Sequence, residues 1–109
     1  MKFDSVYLHH IVDAIERIDD YITGLSSEEF TKDEKTKDAV VRNLEIIGEA
    51  AKKITEKTKS SNPEIPWKNM ASMRDRLIHA YFGVDYNIVW QVAKEELPPL
   101  REKLKSLLK

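Results

Sequence analysis

The sequence contains no cysteine. That excludes a disulfide framework, thiolate zinc sites and a cysteine nucleophile, and it points to a reducing compartment. No apolar run approaches the ~20 residues of a membrane span. The opening MKFDSVYLHH lacks the basic-then-apolar order of a signal peptide, so the expected location is the cytoplasm. An excess of one charge is missing as well: charged residues make up 34% of the chain, yet the formal net charge is -1. A protein that coats nucleic acid nonspecifically is strongly basic, so any meeting with RNA has to use a local site. Internal repeats and low-complexity tracts are absent, and so are a Gly-rich phosphate loop, an HExxH pair and a nucleophile elbow. The alternating apolar runs of strands are nearly absent.

What is present is helical. With 109 residues the chain is read as one domain over 1–109, able to bury roughly two-thirds of its unfolded surface. Ile11, Ile15, Ile18, Ile22 and Leu25 follow one another at helical steps and form one stripe, with Asp4 expected as N-cap and Gly24 near the end. Val40, Leu44, Ile47, Ala51 and Ile54 mark a long second helix whose all-polar start, TKDEKTKD, is expected to fray or project. SSNPEIP reads as a loop. Trp67, Met70, Met73, Leu77 and Tyr81 mark a third helix, broken by Gly83. Asp85 looks like the N-cap of a short helix, and Pro98 and Pro99 suit the first turn of a last one. The expected helices span 4–24, 28–59, 67–81, 86–96 and 98–108, which gives an all-α antiparallel bundle of four to five helices. Val41, Ile46, Ile78 and Phe82 widen the apolar rows, and a second buried surface, most simply a two-fold dimer interface, is expected.

The chemistry-bearing residues cluster in MRDRLIHAYF: Arg74, Asp75, Arg76, His79 and Tyr81. Asp75 and His79, four apart, share a helix face, so the carboxylate is expected to hold the imidazole. Arg74 and His79 lie about 140° apart on an ideal helix, which is easier to understand if two copies complete the site. On spacing alone such a pair is most often a surface cation and a hydrogen-bonded histidine. Glu45 and Glu49 form a solvated acidic edge or a carboxylate ledge for Arg74 or Arg76. Gly48 between them costs about 1 kcal/mol against alanine and suggests a close helix crossing. His9 and His10, adjacent and so pointing about 100° apart, receive no role, and no metal or other cofactor is expected.

RDRLIHAY matches the Arg-(four to six residues)-His-any-Tyr motif of HepT-type proteins in the wider HEPN superfamily. RNLEIIGEAAKKI, NPEIPWKNMASMRDRLIHAYFGVD and IVWQVAKEELPPL also resemble that family in order and spacing, over about residues 38 to 100. The resemblance implies a HEPN-like bundle that dimerises with the motif at the dimer cleft. It implies a metal-independent ribonuclease toxin paired with an MntA-like minimal nucleotidyltransferase antitoxin. On this chain Arg74 and His79 become the catalytic pair and Tyr81 the residue that receives AMP. One departure is Asp75, where the family most often has Asn, and a carboxylate there repels phosphate more than an amide does. The alternative reading is a non-catalytic nucleotide- or partner-binding helical module, or a purely structural dimerisation bundle.

Overall fold

The computed structural model describes residues 2–79 and 83–108, with the side chains of Lys2 and His79 outside the description. The first helix, α1 (Lys2–Ile22), is followed by α2 (Ser27–Lys32), α3 (Glu34–Lys52) and α4 (Glu56–Ser61). Then come α5 (Trp67–Ala71), α6 (Met73–Leu77), and a two-residue antiparallel ladder of β1 (Ile78–His79) with β2 (Gly83–Val84). A final run joins α7 (Tyr86–Gln91), a π-helical turn (Val92–Glu96) and α8 (Leu97–Leu107). The fold is all-α, and none of the described helices is long and apolar enough to cross a membrane.

The apolar stripes of the sequence meet in one core. Ile11, Ile15 and Ile18 of α1 pack with Val40, Leu44 and Ile47 of α3, Met70 of α5, Leu77 of α6 and Leu104 of α8, all essentially inaccessible. Asp4, at the start of α1, touches Thr55, just past the end of α3, so these two long helices run antiparallel. Contacts of Glu16 with Lys105 and of Asp19 with Arg101 make α8 antiparallel to α1 as well.

The single helix expected over 28–59 is three helices, and both breaks have a cause. Ser26 and Glu29 form a reciprocal capping box for α2. Asp33 then accepts the Thr36 amide, an N-cap that restarts the chain as α3. The polar start of α3 neither frays nor projects, because Lys37 is buried along its stem, paired with Glu34 at 2.9 Å and lying over the Tyr86 ring.

The second break comes from Asp4, which does not cap α1 but turns inward from its first turn. Its carboxylate accepts the Thr55 amide at 3.0 Å and the hydroxyls of Thr55 and Thr58. It thereby takes a donor that a longer α3 would have used. Burial pushes the Asp4 carboxyl up, but these hydrogen bonds outweigh it and hold the group below its ordinary value. The charged form is therefore favoured by folding. Its contribution is fully present above the unfolded-state value of about 3.9 and is lost as pH falls through the lower folded-state value. Asp4→Asn should lower stability by about 1–3 kcal/mol at neutral pH and flatten the loss of melting temperature below about pH 4. Thermal melts across pH check this, and an unchanged acid slope would contradict it.

The two expected C-terminal helices are one continuous helical run. Pro98 and Pro99 lack the amides that would bond the carbonyls of Lys94 and Glu95. The run widens into the π turn just before them, where the Leu97 amide reaches back to the Val92 carbonyl.

Candidate functional site

The helix expected over 67–81 departs most from its prediction. At Ser72 the hydroxyl donates back to the carbonyls of Lys68 and Asn69, a bond that bends helices, and the chain divides into α5 and α6. The α6 helix stops at Leu77, because Ile78 is extended at φ -108°, ψ 123°. The Leu77 carbonyl takes the amide of Asp85 at 2.8 Å. The His79 backbone pairs with Gly83, whose φ of +71° favours glycine. Asp85 then caps α7 through the amides of Asn87 and Ile88, as its position in the sequence suggested.

Two expectations change with the end of the helix. Asp75 and His79 are not one helical turn apart, so the shared-face argument for their pairing lapses. The 140° offset between Arg74 and His79 describes an ideal helix that this segment does not form, and it no longer supports a composite site. Tyr81 and Phe82 lie outside the described residues.

Arg74 and Asp75 are exposed on α6. They line a cleft of about 250 Å³ with Lys52 from the end of α3, Lys68 and Ala71 from α5, and Ser72. Among the described residues neither Arg74 nor Lys68 has an ion-pair partner, while Lys52 faces Glu49 at 3.4 Å. Arg76 points elsewhere. Its guanidinium holds Glu96 of the π turn with two parallel bonds of 3.2 and 3.0 Å, the strong fork geometry for this pair. The carboxylate ledge is therefore not what engages Arg76. Glu49 serves Lys52, and Glu45 is half-buried on α3. Among the described residues no group of three or more His, Asp or Glu is placed to hold a metal ion.

What sets the position of α6 is Gly48. A Cβ there would lie 3.2 Å from the Met70 carbonyl and 3.5 Å from the Met73 Cβ, the close crossing its mid-helix position suggested. Lys52, one turn on, shares that face of α3 and so reaches the cleft. Gly48→Val should destabilise the fold by about 1–3 kcal/mol through overpacking, since one of the atoms in the way is backbone. A melting temperature equal to that of the parent would show that the junction gives way freely.

Sequence reasoning missed Lys52, Lys68 and Glu96. The first could have been found as the residue four past Gly48. The other two come together with the motif only through the packing of α5 and the π turn. It also missed an apolar stripe on α1, where Phe3 and Val6 are 68% and 48% exposed.

The model of the family described as ribonuclease HepT-like matches residues 11–107. A probable ribonuclease HepT of Thermococcus cleftensis is 50% identical over 103 residues, covering 94% of each chain. A putative RNase of Caldanaerobacter subterraneus is 43% identical over 108 residues, 99% of this chain and 96% of its own. A putative RNase of Methanocaldococcus jannaschii is 43% identical over 105 residues, 96% of this chain and 87% of its own. No solved structure matches significantly.

Proposed function

This chain belongs to the HepT-like ribonuclease family, and on that premise we propose that it is a metal-independent endoribonuclease toxin acting through Arg74 and His79. The observation that carries the reading is the exposed Arg74, with no ion-pair partner among the described residues, lining a cationic cleft and lying five residues before His79 in the family's motif. RNA brings its own nucleophile, the 2′-hydroxyl. Cleavage needs a base for that hydroxyl, an acid for the leaving 5′-oxygen, and positive charge on the phosphate. Imidazole, with an ordinary pKa near 6.5, serves either proton-transfer role at neutral pH, and a guanidinium matches two phosphate oxygens and stays charged.

The toxin acts as a two-fold dimer in the cytoplasm, and an MntA-like nucleotidyltransferase silences it by placing AMP on Tyr81. Val41, Ile46 and Ile78, only partly buried against the core, support a second apolar contact. Producing the chain alone in cells should arrest growth and degrade RNA. Producing it with a neighbouring nucleotidyltransferase should restore growth and add the mass of AMP. Asp75 in the cleft favours the alternative, a module that binds a nucleotide or partner without cutting. Normal growth and intact RNA in cells making the chain alone would decide for it.

A further inference from the structure

We propose that Lys52 and Lys68 form a binding subsite for an RNA backbone phosphate next to the one that Arg74 holds. The inference rests on the reading of this chain as a ribonuclease acting through Arg74. Three separate elements bring these cations together: the end of α3, the first turn of α5, and α6. Three cations against the one carboxylate of Asp75 line this cleft, on a chain whose net charge is -1, so the positive field is local to the motif.

The size of the cleft is consistent with a small anionic group. At about 250 Å³ it falls below the roughly 300–1,000 Å³ of pockets that enclose a small molecule. It suits a strand that lays its phosphate and sugar across the opening with its bases left outside. Lysine is a point charge without the fork of arginine, so it adds affinity and register without reading bases. The Glu49 partner of Lys52 does not compete strongly, because an exposed pair of this kind contributes only about 0–1 kcal/mol and can yield to a phosphate. Lys68 has no ion-pair partner to displace among the described residues.

The probe is a single-stranded 2′-O-methyl RNA, which lacks the attacking hydroxyl and stays whole on the wild-type chain. Binding is measured by fluorescence anisotropy across salt. The variants are Lys52→Gln, Lys68→Gln, the double Gln variant, and a double Arg variant that keeps the charges, with Lys57→Gln on exposed α4 as the control. We expect the double Gln variant to lose about tenfold or more in affinity. Its slope of log affinity against log salt should be shallower by about 0.7 per lysine. The double Arg variant should bind like wild type, and melting temperatures should not change. If the double Gln variant binds with the affinity and slope of the control, the lysines are solvated surface charges and the subsite is wrong. Absence of binding by the wild-type chain would overturn it equally. Cleavage of unmodified RNA, assayed in parallel, separates the two readings: weakened binding by the Gln variants alongside a wild type that never cuts would uphold the phosphate subsite and reject the ribonuclease.

Discussion

His79→Ala should abolish RNA cleavage and Arg74→Ala should nearly do so, with the fold intact in both. The proton-transfer role of a positioned histidine contributes about 10²- to 10⁴-fold. If a two-fold dimer supplies two copies of His79, one as base and one as acid, the substitution removes both roles at once. Arg74 is exposed and makes no ion pair among the described residues, so truncating it should shift stability by no more than about 0.5 kcal/mol. Its loss therefore reads on catalysis alone. With one copy acting as base and the other as acid in such a dimer, the pH–rate profile should be bell-shaped. Initial rates on a labelled RNA, measured with melting temperatures of the same samples, check this. An active His79→Ala variant would remove the histidine from the mechanism.

Tyr81→Phe should leave the nuclease largely active and make it insensitive to the partner nucleotidyltransferase. A phenol with an ordinary pKa of about 10 is almost wholly protonated, and so a poor nucleophile, at neutral pH, so the activating chemistry would have to come from a partner enzyme and its ATP. AMP on Tyr81 would set a bulky anion two residues from His79. Where that anion reaches the cleft of Arg74, Lys52 and Lys68, charge-assisted bonds from these cations would hold it in place of the RNA phosphate. Inhibition would be competitive, with no change of fold. Intact mass and cleavage rate, measured with and without the partner, test it. A Tyr81→Phe chain that still gains AMP and is still silenced would place the acceptor elsewhere.

The elements most legible in the sequence are those governed by local chemistry. The stripes of Ile11, Ile15 and Ile18 and of Val40, Leu44 and Ile47 are core, Gly48 marks a close crossing, and Asp85 is a cap. The capping box at Ser26–Glu29 and the cap at Asp33 were written in the sequence too, but the all-polar stretch around Asp33 carries no apolar spacing that would mark the break. Asp4 was not legible, because its partners Thr55 and Thr58 lie 51 and 54 residues away. Nor was the end of α6 at Leu77, where a carbonyl pairs with Asp85 across the loop while the apolar spacing runs on to Tyr81. In the site, the motif identified Arg74, but the bidentate grip of Glu96 on Arg76 replaces the pairing that helical spacing suggested for Glu45 and Glu49.

This chain is expected to cut RNA with its own side chains and the 2′-hydroxyl of the substrate. The most direct measurement is the chemistry of the new 3′ end when purified chain cleaves RNA in excess EDTA. Attack by the 2′-oxygen on phosphorus breaks the bond to the 5′-oxygen, which leaves as a hydroxyl, and the 3′ end retains a 2′,3′-cyclic phosphate. That product is expected at an undiminished rate in EDTA, and none from His79→Ala. Cleavage that stops in EDTA and returns with added metal, leaving a 3′-hydroxyl and a 5′-phosphate, would contradict it.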